Sequence, residues 1–304
     1  MYIVRALLLG ALQGATEFLP VSSSGHLVLV PWILGWPASS LAFDAVVHWG
    51  TAAAVVAYFW RDWVSLVRAA WRSLRHLALF GRGEPQTRPY AGASDLPAVG
   101  ERRRAPVSST DARLAWLILL GTVPAALIGY LLEDFFEGMF ARPVAAAGFL
   151  LVTAALLVAS ERWGRRQRAL SSLGWLDALV VGLAQALAIF PGISRSGATI
   201  AAGLGRGLRR ETAARFSFLL ATPIILGAGL LEIVDLIQVG DLAAQAPALV
   251  VGFVAASGVG FGCIHFLLRY LQRRRLYPFA VYCAAVGVAC LLVALARGFL
   301  FLPA

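Results

Sequence analysis

The chain contains no lysine; all 26 of its basic residues are arginine. Charge of either sign is scarce, with 14% charged residues against 60% hydrophobic ones and a mean hydropathy of +0.77. That balance lies outside the range of soluble globular domains and makes lipid the expected solvent. A cleavage pattern of small residues is missing after the first apolar stretch, which instead carries Gln13, Glu17 and Ser22, Ser23 and Ser24. It is therefore read as part of the mature protein and not as a signal peptide. Cysteine is nearly absent: Cys263, Cys283 and Cys290 lie in apolar segments without metal-type spacing and read as small buried hydrophobes. A net charge of +10 would suit nucleic acid, but the arginines cluster between apolar runs, where membrane topology accounts for them. Nucleic acid is not an expected partner.

What is present is a series of apolar runs near 41–60, 113–132, 143–160, 213–235, 247–268 and 278–297, each about the length needed to cross a bilayer. Arginine concentrates in four connections: between Arg61 and Arg113, Arg162 and Arg168, Arg206 and Arg215, and Arg269 and Arg275. The positive-inside rule places all four in the cytoplasm. The acidic turns with Glu133, Asp134 and Glu137, and with Asp235 and Asp241, then face outward. Two further apolar stretches, 1–35 and 174–204, are broken at their centres by Pro, Gly and Ser. A single crossing by 174–204 would spoil the alternation of basic and acidic connections, so it enters and leaves on the cytoplasmic side. The 1–35 stretch reads as a hairpin dipping in from the outer face. A full crossing there would move only the N-terminus, so that alternative stays open.

Sliding the chain by 172 residues superposes the two broken stretches without a gap. Gly10, Gln13, Phe18, Ser22, Ser24 and Gly25 fall on Gly182, Gln185, Phe190, Ser194, Ser196 and Gly197. Each copy holds a hairpin and three spans, an odd number of crossings that inverts the second copy. The expected fold is an all-α integral membrane protein with six transmembrane helices and two re-entrant helical hairpins in two inverted-topology repeats, 1–160 and 174–304. The segment 81–110, rich in Pro, Gly, Ser and Arg, reads as a flexible cytoplasmic insertion.

Chemistry-bearing residues collect at the two breaks. Glu17, with Gln13 one helical turn before it, is an ionisable group in an apolar hairpin and a functional candidate by its cost alone. Pro20 stops the first half-helix, and Ser22, Ser23, Ser24 and Gly25 start the next, offering hydroxyls and unpaired N–H groups to an anion. His26 follows in the first turn, near enough to the serines to act on a proton. In the second break Pro191 and Gly192 interrupt the helix and Ser194 restarts it. Arg195 stands in the middle of an apolar stretch, where its planar fork calls for an anion such as phosphate, and Ser196 and Thr199 add donors. Two facing half-helix ends, one with Glu and His and the other with Arg, make an anion site with acid–base equipment, and so point to phosphoryl chemistry on a membrane-resident substrate.

The motifs QGATEFLPVSSSGH and FPGISRSGAT, with the supporting stretches FDAVVHWGT, GTVPAALIGYLLEDFFE and RFSFLLATP, resemble those of the bacterial undecaprenyl-diphosphatase family, the bacitracin-resistance proteins. The likeness covers nearly the whole chain apart from the insertion. It implies hydrolysis of undecaprenyl diphosphate to the monophosphate, which recycles the carrier lipid for cell-wall synthesis and confers bacitracin resistance. It also implies a divalent cation, magnesium or calcium, and a multi-pass protein of the bacterial inner membrane with its active site facing the periplasm. Carried over by position, the family's Glu/Gln-x-x-x-Glu element falls on Gln13 and Glu17, the candidate metal residues, with Gln the rarer choice at the first place. Ser23 falls in the place of nucleophile or water positioner, His26 of proton transfer and Arg195 of phosphate clamp. Ser22, Ser24, Gly25, Gly192, Ser194, Ser196 and Thr199 line the substrate. Either Ser23 or His26 forms a phospho-enzyme, or Glu17 and His26 activate water directly. Expected partners are the lipid and the bilayer, with a homodimer the one protein assembly considered. The rival function is a transporter or flippase of an anionic prenyl lipid, alone or combined with the phosphatase, because inverted repeats with broken helices also build carriers. A carrier, however, has no evident use for a cluster of Glu, Ser and His.

Overall fold

The computed structural model describes residues 3–37, 39–80, 109–238 and 242–298, and within these it is all α. The first broken stretch forms α1 (Ile3–Phe18) and α2 (Ser23–Leu34), and the second forms α8 (Trp175–Leu187) and α9 (Arg195–Gly205). At 1.5 Å per residue each of these four helices is about 17–24 Å long, short of the ~30 Å hydrocarbon core. The breaks arise where proline removes a donor and a serine starts a new helix. Ser22 Oγ accepts from Gly25 N at 3.2 Å to cap α2, and Ser194 Oγ accepts from Gly197 N at 3.0 Å to cap α9.

Between and after the hairpins run α3 (Leu41–Tyr58), α4 (Trp60–Phe80), α5 (Ser109–Leu131), α6 (Glu133–Phe140) and α7 (Pro143–Trp163), then α10 (Arg210–Gln238), α11 (Leu242–Arg273) and α12 (Tyr277–Ala296). Among the described residues four stretches are long and apolar enough to cross a membrane: Thr110–Leu131, Pro143–Trp163, Gln245–Arg273 and Tyr277–Ala296. The run expected at 41–60 is α3, which bends by 81° into α4, an arginine-bearing helix in a stretch that the sequence reads only as a basic connection. The run at 213–235 lies within α10. The insertion expected at 81–110 falls outside the described residues except where α5 begins.

The hairpins are held by close backbone approach. Helix α1 packs chiefly on α11 and α8 chiefly on α5, while α3 meets α10 and α7 meets α12. Gly10 of α1 lies against the backbone of Gly252, and Gly182 of α8 against that of Gly121; a Cβ at either position would overlap the facing chain. Small residues that let helices touch are the usual device for packing in lipid, where apolar side chains gain little by leaving the solvent. The main core joins Phe18, Phe59, Leu117, Leu204, Phe216 and Leu267 from both halves.

Buried acids tie the arginine-rich connections into one end of the molecule. Asp177 accepts from Arg168 (Nη1 to Oδ1 3.0 Å, Nη2 to Oδ2 2.6 Å), from Arg206 Nε at 2.7 Å and from Gly174 N at 2.9 Å. Glu161 accepts from Arg210 at 2.7 and 2.6 Å and from Leu276 N at 3.0 Å. Burial alone would raise the Asp177 carboxyl, but the hydrogen bonds from Arg168, Gly174 and Arg206 outweigh it and hold that group at about 2.

Candidate active site

The two breaks face each other. Ser196 Oγ, in the first turn of α9, donates to the Leu19 carbonyl at 3.1 Å, and a Cβ built on Gly25 would stand 3.0 Å from Gly192 Cα. Each break holds one residue at positive φ. Ser22 sits at φ 72° and Gly192 at φ 100°, a region that residues with side chains seldom adopt. Thr153 of α7 pins the second break, its hydroxyl donating to the Gly192 carbonyl and accepting from Ser194 N, both at 2.9 Å.

Glu17 is the hub. Its Oε1 accepts from Arg195 Nη2 across the two halves, and its Oε2 accepts from Ser23 Oγ and, at 3.0 Å, from Gln13 Nε2. The Glu17 and Arg195 side chains are only 5% and 18% exposed, so the pair is largely desolvated; removing either partner would strand the other, at a cost of about 3–5 kcal/mol. Arg195 Nη1 also reaches the Ala221 carbonyl of α10 at 3.4 Å. Gln13 Oε1 is buried and has no hydrogen-bond partner. Among the described residues no three of His, Cys, Asp and Glu come close enough to form a metal cage. The oxygen donors at the break are the Glu17 carboxylate and the unpartnered Gln13 Oε1, the ligand type that magnesium and calcium take.

The remaining candidates divide. Ser22 and Ser24 hydroxyls lie 3.4 Å apart, and Ser194 and Ser196 hydroxyls 3.2 Å apart, at the facing helix starts. Thr199 is engaged elsewhere, donating to the Arg195 carbonyl at 2.7 Å and meeting Ser217 Oγ at 2.6 Å, which steadies the Arg195 backbone. His26 is buried, but its ring is bonded away from Glu17. Nδ1 pairs with the Ser22 carbonyl at 2.7 Å and Nε2 with Tyr282 Oη at 2.8 Å, the two rings stacked 5.6 Å apart. Since a carbonyl only accepts, Nδ1 carries a proton, and in the neutral ring Nε2 accepts from Tyr282. Tyr282, Thr153 and Ser217 give no signal in the sequence. They lie far along the chain from the motifs they support, in helices where an aromatic or hydroxyl residue looks like ordinary packing.

A proton acceptor beside a serine hydroxyl, with a guanidinium on the acceptor's other oxygen and two helix starts alongside, is equipped to move a phosphoryl group: Ser23 can lose its proton to Glu17, and charge on phosphate oxygens can be met by Arg195 and main-chain N–H groups.

Comparison with known proteins gives a consistent answer. Residues 6–289 match the family described as Bacitracin resistance protein BacA. The undecaprenyl-diphosphatase of Thermomicrobium roseum is 42% identical over 300 residues, 96% of this chain and 98% of its own length. That of Rubrobacter xylanophilus is 43% identical, covering 96% of this chain and 98% of its own, and that of Pelotomaculum thermopropionicum is 40% identical, covering 99% and 100%.

Proposed function

The chain belongs to the bacitracin resistance protein BacA family, and from that membership and the Glu17–Ser23–Arg195 cluster we infer that it hydrolyses undecaprenyl diphosphate to undecaprenyl phosphate and inorganic phosphate. The observation that carries this reading is the bridging of two half-helix ends by Arg195 and Glu17, with Ser23 on the same carboxylate. A carrier is not favoured, because the relatives are named for hydrolysis and transport needs no serine aimed at a base.

The diphosphate lies between the two helix starts with its distal phosphoryl group at Ser23. Arg195 and the N–H groups at the starts of α2 and α9 bind its oxygens. Ser23 Oγ attacks the distal phosphorus as its proton passes to Glu17, the bond to the bridging oxygen breaks, and the lipid monophosphate leaves. Water then attacks the phosphoserine and releases phosphate. The engagement of both His26 ring nitrogens favours Glu17 over His26 as the base for the first step, and leaves His26 to hold the Ser22 turn. Glu17 and Gln13 are the residues that would hold a magnesium or calcium ion, which would supply further neutralisation of phosphate charge. Because the positive-inside rule puts the arginine-rich end around Asp177 and Glu161 in the cytoplasm, the site is read as opening toward the periplasm of the inner membrane, with the prenyl chain extending sideways into lipid. The crosswise packing of α1 on α11 and α8 on α5 supports the division into inverted repeats.

The experiment is phosphate release from undecaprenyl diphosphate by protein purified in detergent, with magnesium, calcium or EDTA, followed by mass analysis of the quenched protein. Phosphate on Ser23 during turnover, and its loss in Ser23→Ala along with activity, supports the serine route. Full turnover by Ser23→Ala rejects it in favour of direct attack by water.

A further inference from the structure

Helix α4 takes no part in the phosphate site, yet it has three sharply separated faces. At 100° per residue, Leu66, Ala69 and Ala70 share one side with Asp62 and Ser73, and this side packs on α5: Leu66 and Ala69 are buried, Leu66 joins the core of Leu114, Leu117 and Ile118, and Ser73 Oγ accepts from Trp116 Nε1. The second side is apolar and exposed. Trp60, Val64, Val67, Trp71 and Leu74 follow each other at helical spacing in a stripe of 38–63% exposure. The third is cationic: Arg61, Arg68, Arg72 and Arg75 are all exposed and lie together along one edge of that stripe. Arg61 and Arg75 stack on Trp60 and Trp71, 5.3 and 5.2 Å from the ring centres.

The 81° bend from α3 and four arginines in fifteen residues stop α4 from continuing across the bilayer. An apolar stripe edged by cations, with stacked Arg–Trp pairs at the boundary, is the pattern of a helix lying along the membrane surface. The acidic residue near its start, Asp62, is turned away to bond Arg215 of α10, so among the described residues of α4 no acid lies on the outer faces beside the arginines. We propose that α4 lies in the membrane interface and recognises the anionic phospholipid headgroups of one leaflet through Arg61, Arg68, Arg72 and Arg75, with the Trp60–Leu74 stripe sunk at the acyl boundary. On the arginine-based topology this is the cytoplasmic leaflet, whose surface attracts each nearby arginine. Helix α4 thereby anchors the inner end of α3, whose helix packs on α1 and α11.

The test labels Val67→Cys, in a Cys263→Ala background whose other two cysteines are buried, with a polarity-sensitive fluorophore, in full-length protein in nanodiscs. Quenching by headgroup-level spin-labelled phosphatidylglycerol is compared with quenching by the same fraction of spin-labelled phosphatidylcholine. The expected result is a blue-shifted probe, quenched about twofold or more better by the anionic lipid, a preference that disappears in Arg68→Gln/Arg72→Gln. Because position 67 is exposed, the labelled protein should fold, and Leu74→Cys gives a second site on the stripe. Equal quenching by both lipids would overturn the headgroup recognition. A probe that neither lipid reaches would overturn the proposal altogether, showing the stripe covered by a second copy or by another part of the chain.

Discussion

Tyr282 is the residue whose role is least visible in the sequence. Its hydroxyl is the only group placed to donate to His26 Nε2 among the described residues, and the stacked rings keep the imidazole turned toward the Ser22 carbonyl. In Tyr282→Phe the ring stack survives and the hydrogen bond is lost, a change of about 1 kcal/mol. We expect kcat to fall by about fivefold with KM little changed, measured by phosphate release; an unchanged kcat would mean that the orientation of His26 does not matter. Gly192 makes a different demand. At φ 100° and with the Ala146 carbonyl oxygen standing where its own Cβ would be, Gly192→Ala should destabilise the fold by about 1–3 kcal/mol from the backbone conformation alone, with the overlap adding to this, seen as a lower melting temperature in detergent. Glu17 and Arg195 are legible in the sequence because ionisable groups in apolar runs have few structural uses. Tyr282 is not, since an aromatic residue in an apolar helix carries no signal of its own. The proton-transfer place of His26 rests on its nearness to the serines and on the family likeness, to which the structure adds that both ring nitrogens are engaged, by the Ser22 carbonyl and by Tyr282.

At the scale of elements, the breaks in both hairpins are readable from Pro, Gly and Ser, and the structure places helix ends at them. The small helices and the bend are harder. Composition marks 41–60 as apolar, but its close at Phe59 depends on α4 packing sideways on α5. The stripe of α4 repeats at helical spacing in the sequence and is masked there by the arginines between. Nor do Asp177 and Glu161 announce themselves, being acids beside many arginines; only the fold selects which cations they bind. The Asp177 carboxyl, held at about 2 against an ordinary 3.8, lends stability that is fully present above about pH 4 and is lost as pH falls toward 2. The melting temperature of the wild type should therefore drop faster than that of Asp177→Asn between pH 4 and pH 2, while at pH 7 the variant melts lower. Parallel curves would show that the Arg168–Asp177–Arg206 knot does not stabilise the fold.

For the whole molecule, the site exists only because two segments about 170 residues apart in the chain are brought end to end. Neither half holds a base, a serine and a phosphate-binding arginine together. The glycine contacts Gly10–Gly252 and Gly182–Gly121 set how closely each hairpin seats against the opposite half, so the distance between Glu17 and Arg195 depends on packing well away from it. The sequence repeat makes this arrangement foreseeable, whereas the identity of the atoms that meet is not. The central claim is that Glu17 and Arg195 act as one unit across the interface. Its most direct test is a double-mutant cycle on phosphate release from undecaprenyl diphosphate, comparing wild type, Glu17→Gln, Arg195→Ala and the double variant after each is shown to be folded. Each single change should lower kcat/KM by about 100-fold or more, with the double variant no worse than the weaker single. Near wild-type release by either single variant, or losses that simply multiply, would contradict it.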